Sequence, residues 1–168
     1  MSRLLGIDLG TRRIGLALAD TDTAAVRPLA TLRRGSPERD IALLARLIEE
    51  QEVDELVIGL PRNMDGSEGQ QAADTRAWAD DVAGRLDRPI CWRDERLSSE
   101  RAEARLGRLR RGRGGGPPSP AARAAHRASI DREAARLILQ AELDARRQAA
   151  SGPPASAPPA SGPPAAGR

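Results

Sequence analysis

Apolar residues follow two rhythms along this chain, and the switches between them mark out the elements. Leu4 to Leu9 and Ile14 to Ala19 are short apolar runs separated by Gly10-Thr11-Arg12-Arg13, which predicts two strands joined by a turn as a hairpin. A short third strand is expected near Pro28 to Arg33. Ser36-Pro37-Glu38 then provides an N-cap, a proline at the first helical position and an early acid. Ile41, Leu44, Leu47 and Ile48 follow as one apolar helix face. Leu56 to Leu60 predicts a buried strand, and Pro61 to Gly69 a loop rich in turn residues. Residues 70–86 predict a helix with Trp78 and Val82 on one side, Pro89 to Arg93 a short strand, and residues 98–109 a basic helix. A last helix is expected to start at Ser129 as its cap, with Ile130, Ala134, Leu137, Ile138 and Ala141 as its inward stripe. A hairpin followed by alternating helices and strands predicts a mixed α/β sheet.

The rhythm lapses twice. The stretch Arg-Arg-Gly-Arg-Gly-Gly-Gly-Pro-Pro-Ser-Pro at 110–120 predicts a flexible loop. Near the end, Ser-Gly-Pro-Pro-Ala, Ser-Ala-Pro-Pro-Ala and Ser-Gly-Pro-Pro-Ala repeat with a period of five, and no apolar side chain larger than Ala is present. Such a segment cannot bury enough surface to offset the entropy of ordering it, so 149–168 is expected to be a disordered, partly extended tail. The chain of 168 residues is thus expected to hold one domain, residues 1–148. No apolar run approaches the ~20 residues of a membrane helix. The start lacks the long apolar region of a signal peptide, so the expected compartment is the cytoplasm.

Composition narrows the chemistry. All 27 cationic side chains are Arg; Lys, Tyr and Phe are absent, and there is one His (His126) and one Cys (Cys91). A P-loop lysine, a Schiff base and a tyrosine nucleophile are therefore excluded. One Cys makes no internal disulfide, and one Cys with one His makes no closed zinc site without carboxylates. A hydrolase built from this sequence would work through Asp and Glu with a hard metal ion. Charge is also uneven: residues 1–95 hold 13 Arg against 18 acids, whereas residues 96–150 hold 13 Arg against 6. The second half is suited to an anionic partner.

Three acids stand at the edges of expected core elements. Asp8 lies inside the first strand between Ile7 and Leu9, where a carboxylate is costly unless paired or bound to metal. Glu95 lies where a strand ends and a helix begins, and Asp131 in the expected first turn of the last helix. Singly, the last two are ordinary surface or helix-start acids. Together, carboxylates from a first strand, a later strand end and a C-terminal helix can converge on one site, and oxygen-only ligands suit Mg²⁺ or Mn²⁺.

These residues resemble a family. Gly6-Ile7-Asp8-Leu9-Gly10-Thr11-Arg12-Arg13-Ile14-Gly15 looks like the opening motif of the YqgF/RuvX family, whose names refer to cleavage of precursor 16S rRNA and to Holliday junction resolution. The likeness continues through Val57 to Gly69, Asp94-Glu95-Arg96-Leu97-Ser98-Ser99, and Ile130-Asp131 to Gln140. It implies an RNase H-like fold, a central five-stranded mixed sheet flanked by helices. It also implies that Asp8, Glu95 and Asp131 are the catalytic residues and the ligands of two Mg²⁺ or Mn²⁺ ions. Ser98-Ser99 stands where the family usually has Thr-Thr, which keeps both hydroxyls. Arginines replace family lysines near the last motif, which keeps charge but alters geometry.

Nucleic-acid contacts are expected from Arg12 and from Arg96, Arg101, Arg105, Arg108, Arg110, Arg111 and Arg127, with Arg113 and Arg123 in the same basic stretch. No aromatic follows Trp92, so recognition should favour backbone over bases. Asn63, Asp65, Ser67 and Glu68 fit a tight turn, with Asn63 or Glu68 near substrate as the functional alternative. His126 reads as an exposed residue and Cys91 as a core thiol. The leading expectation is a metal-dependent endonuclease acting on precursor 16S rRNA. The alternatives are a resolvase of branched DNA and a non-catalytic RNA-binding assembly factor. An ATP-binding fold of the actin and sugar-kinase type needs a second sheet domain that this chain is too short to supply.

Overall fold

A computed structural model of the chain describes residues 2–95, 98–107, 109 and 117–151. Residues 110–116 of the loop expected over 110–120, the tail from 152 onward, and Arg96, Arg108, Arg110, Arg111 and Arg113 lie outside the described residues.

Five strands form one mixed sheet: β1 (Arg3–Leu9), β2 (Arg13–Asp20), β3 (Val26–Arg33), β4 (Glu55–Leu60) and β5 (Ile90–Asp94). Their spatial order is β3-β2-β1-β4-β5. The first three are antiparallel neighbours, and β1, β4 and β5 run parallel. The parallel pairings require crossovers, and these are α1 (Pro37–Glu50) and α2 (Gln70–Leu86). The first helix starts as the sequence specifies: Ser36 caps it, its hydroxyl accepting from the Arg39 N–H at 3.4 Å.

The two faces of the sheet are built from different side chains. One is bulky: Leu5, Ile7, Ile14, Leu16, Leu56 and Ile58 pack with Ile41, Leu44 and Ile48 of α1 and Trp78 and Val82 of α2. The opposite face carries Leu4, Ala17, Ala19 and Val57 against Ala135, Ile138, Leu139 and Leu143 of the last helix, α4 (Pro120–Ala150). Small residues on that face let the helix backbone come close. A side chain on Gly15 would collide with the carbonyl oxygen of Asp131, and a Cβ on Gly6 would lie 2.9 Å from the carbonyl of Ala135. The α3 helix (Ser98–Leu106) packs on α4 and buries Ala102.

Two helix boundaries differ from expectation. The last helix starts ten residues before Ser129: Ser119 caps it, accepting from the Ala122 N–H at 3.1 Å, and Pro120 follows. This is the same Ser-Pro start as at 36–37, and the Ala-rich run after it has high helix propensity. Ser129 is interior, its hydroxyl bonded to the Ala125 carbonyl at 3.1 Å. The helix also continues to Ala150, two residues into the segment assigned to the tail. Conversely, α3 stops at Leu106 rather than near residue 109. Gly107 there adopts the left-handed conformation (φ 73°), and its N–H closes on the Glu103 carbonyl at 2.9 Å.

These contacts set opposite signs for two substitutions. Gly15→Ala forces α4 off the sheet and should cost about 1–3 kcal/mol. Gly84, inside α2, has open space where a Cβ would go, and Gly84→Ala should gain about 0.5–1 kcal/mol. Urea unfolding of both variants measures each change.

Candidate active site

The site lies at the carboxyl ends of the parallel strands, where open α/β sheets bind ligands. Asp8 is the penultimate residue of β1 and pairs across the sheet with Gly15 of β2. Strand alternation points its side chain to the α4 face, where it is buried. Glu95 directly follows β5, held by its N–H bonding the Leu60 carbonyl at 3.1 Å. Its carboxylate lies over Gly59 of β4: a Cβ there would stand 2.5 Å from Glu95 Oε2. Gly15 and Gly59 thus make room on either side of Asp8, one for helix backbone and the other for a second carboxylate.

Asp8 and Glu95 share a side-chain hydrogen bond. The two carboxyl groups therefore lie within hydrogen-bond reach of each other. Burial pushes the Asp8 carboxyl above the ordinary aspartate range, the bond from Glu95 pulls it back, and the charge of Asp131 raises it again. Asp131 is therefore close enough to be felt, and two of the three acids touch. Asp131 itself is held by Arg13, whose Nε and Nη2 both reach its carboxylate, the latter at 3.4 Å. Among the described residues, no three carboxylate, imidazole or thiol groups are gathered as a metal cage.

Asp131 is not a helix-start acid. It lies about three turns inside α4, beyond the reach of the helix dipole, which falls off within the first turn. The dipole therefore does not account for its position, whereas the proximity to Asp8 and Arg13 does. Next to the acids opens a cavity of about 510 Å³ lined by Gly10, Thr11, Arg12, Arg13, Arg127 and Asp131. Two of the expected nucleic-acid residues, Arg12 and Arg127, are therefore at the site, both exposed.

The other expected residues divide. Arg101 is exposed on α3. Arg105 pairs with Glu133 of α4 at 3.1 Å, so it ties the two helices together. Arg123 donates to the Pro118 carbonyl at 2.6 Å. In the loop after β4, Asn63 bonds Ser67 at 2.9 Å, and Glu68 pairs with Arg76 at 2.8 Å and Arg62 at 3.4 Å. Backbone bonds from the Asn63 N–H to the Ser67 carbonyl and from the Gly66 N–H to the Asn63 carbonyl close the turn there. Cys91 faces Glu142, its thiol 3.3 Å from Oε2, and is pushed up by burial and by that contact. Among the described residues His126, half-buried on α4, makes no hydrogen bond or ion pair.

Sequence reasoning missed two features. One is Arg13 as the partner of Asp131, which the hairpin motif contains but does not assign. The other is a charged network on the α4 face. Glu142 is buried, yet the bonds from Arg93, Arg146 and Cys91 outweigh burial and hold its carboxyl low; Arg146 also reaches Glu55 at 2.7 Å.

A sheet of this order, with helices on both sides and an acid on the first strand, is the RNase H-like resolvase fold. The chain is similar to Thermus thermophilus RuvC over 86% of its own length and 96% of that chain, at TM-score 0.50 and 13% identity. It is likewise similar to the fowlpox virus resolvase, solved in complex with Holliday junction DNA, over 87% and 99% at TM-score 0.51 and 9% identity. The family model described as RuvX, Holliday junction resolvase, matches residues 2–145, and the chain belongs to that family. A relative from Anaeromyxobacter sp. (strain Fw109-5) is 46% identical, with 86% of this chain and 98% of that one aligned. A relative from Chloroflexus aurantiacus is 42% identical over 86% and 88%. Both carry the name "Putative pre-16S rRNA nuclease".

The raised Asp8 carboxyl has a consequence for stability. A folded-state value above the unfolded one means that wild-type stability falls as pH rises through the interval between them. Asp8→Asn carries no such penalty, so it should melt higher than wild type near neutrality. The gap should close as pH falls toward the ordinary aspartate range. Thermal melts of the two proteins across pH read this directly.

Proposed function

We propose that this protein is a metal-dependent endonuclease that hydrolyses phosphodiester bonds of precursor 16S rRNA at its 5′ end, in the cytoplasm. One observation carries the reading: Asp8 and Glu95 share a hydrogen bond at the carboxyl ends of the parallel strands, within electrostatic reach of Asp131 and beside an arginine-lined cavity. The RNA substrate is favoured by the relatives at 42–46% identity that are named for pre-16S rRNA. The solved RuvC and fowlpox virus resolvase structures, at 9–13%, support the fold alone. Among the described residues no helix is long and apolar enough to cross a membrane.

The donor set fits a hard divalent cation. It offers carboxylate oxygens only, and two neighbouring carboxyl groups repel one another as anions unless a cation lies between them. Asp8 and Glu95 would hold Mg²⁺ or Mn²⁺, with Asp131, paired with Arg13, as third carboxylate. Two such ions, when bound, supply Lewis-acid stabilisation of the attacking and leaving oxygens.

The chain's own residues do the rest. Arg13 orients Asp131 toward the other two acids. Arg12, Arg13 and Arg127 line the cavity with guanidinium donors, whose planar forks match phosphate oxygens and place the scissile linkage against the carboxylates. Fixed positive charge there also offsets the negative charge that builds on the phosphoryl group during hydrolysis. The α4 helix and the sheet under it hold these groups on rigid elements, so little reorganisation accompanies the reaction.

Labelled precursor 16S rRNA and a four-way DNA junction, each incubated with Mn²⁺, Mg²⁺ or chelator, test the reading. Metal-dependent RNA cleavage is expected. It should drop by about a hundredfold or more in Asp8→Asn, Glu95→Gln and Asp131→Asn, since each removes a group worth several kcal/mol to the transition state. Cleavage of the junction alone would reassign the protein as a resolvase. Binding without cleavage of either would make it an assembly factor.

A further inference from the structure

The arginine-lined surface continues beyond the cavity at the acids. A second cavity of about 570 Å³ adjoins it, sharing Thr11 and Arg12, and is lined further by Arg33, Arg34 and Gly35. It forms where the antiparallel pairing of β2 with β3 ends, Arg13 lying opposite Arg33. The backbone here is fixed. The Arg34 N–H bonds the Arg12 carbonyl at 3.0 Å, the Arg34 guanidinium bonds the Gly10 carbonyl at 3.2 Å, and buried Asp40 accepts the Gly35 N–H at 2.9 Å. Arg39 of α1 reaches over Gly35, its Nη1 3.3 Å from where a Cβ would stand.

Four guanidinium groups therefore gather on one short stretch of surface. Among the described residues no acid lines the cavity, and the side chains of Arg12, Arg33 and Arg39 make no ion pair or hydrogen bond. Elsewhere Arg46, Arg62, Arg76, Arg85, Arg93 and Arg146 are matched to acids. Unpaired like charges on a fixed backbone repel one another, and a polyanion is the ligand that removes the repulsion.

We infer that this second cavity is a phosphodiester subsite. It takes a backbone phosphate of the substrate strand next to the one placed at the acids, and it sets the direction in which the strand leaves the site. The inference rests on the nucleic-acid substrate proposed above. Its contacts read no bases: both tryptophans lie elsewhere, Trp78 in the core and Trp92 under the Arg76 guanidinium. Binding there is accordingly sequence-tolerant and salt-sensitive.

The test is fluorescence anisotropy on the full chain in chelator, so that binding is read without cleavage. The probes are a single-stranded RNA from the 5′ precursor segment of 16S rRNA and a four-way DNA junction. Arg33→Ala is compared with wild type and with Arg85→Ala, a control on α2. Arg33 is exposed and unbonded, so its removal leaves the fold intact, and equal melting curves verify this. Arg33→Ala should weaken RNA binding about tenfold, the size of one charge-assisted contact. It should also flatten the dependence of log K on log salt by about 0.7 for a single strand, and Arg85→Ala should change neither. Unchanged affinity and slope on both probes would overturn the subsite, as would failure of the intact chain to bind either. A loss confined to the junction keeps the subsite and overturns the RNA assignment alone.

Discussion

The close seating of α4 on a glycine- and alanine-lined sheet face is the constraint on which the rest depends. Gly15 lets the helix backbone at Asp131 come down onto β2, and Gly6 does the same one turn further along at Ala135. Were those positions larger, α4 would ride higher, Asp131 would lift away from Asp8, and Arg13 would lose its partner. The bulky residues sit on the other face, where α1 and α2 keep an ordinary distance. The division of side-chain size between the faces is therefore also a division of labour. One face supplies most of the apolar burial, and the other supplies precision in placing a helix-borne acid.

The same seating explains why the charges here are tolerated. A carboxylate buried on a central strand opposes folding unless something answers it. For Asp8 the answer is partial: the hydrogen bond with Glu95 and the more distant field of Arg13. Glu142, lower on the same helix face, has two arginines and a thiol, which hold its carboxyl below the ordinary glutamate range. Two buried acids on one helix–sheet interface are thus shifted in opposite directions. The satisfied one belongs to the architecture. The unsatisfied one marks the site, as perturbed carboxyl groups in a cleft commonly do.

Much of this was legible in the sequence because it is local. The apolar runs at Leu4 to Leu9, Ile14 to Ala19 and Leu56 to Leu60 became strands, and Ser36-Pro37 began a helix. Four motifs in one order pointed to the fold and the family. The start of α4 is legible too, since Ser119-Pro120 repeats the signature at 36–37, whereas Ser129 offers a second cap residue that lies inside the helix. What the chain does not display locally is partnership across long separations. Arg13 meets Asp131 and Arg105 meets Glu133 only after α4 has been laid on the sheet. The adjoining cavities at the hairpin turn unite Arg12 with Arg33 and Arg34 through strand register, which composition and periodicity do not encode.

The long helix has a consequence for the order of events as the chain is made. It touches every strand of the sheet, and Thr31 of edge strand β3 bonds the Ala128 carbonyl at 2.8 Å. All five strands leave the ribosome before it does. Until then, Leu4, Ala17, Ala19 and Val57 have no cover, and Asp8 faces water rather than a closed site. Domains fold as units once the parts that complete their cores are available. Under the function proposed above, the chain is inert while nascent, because Asp131 arrives only with the segment that seals the core.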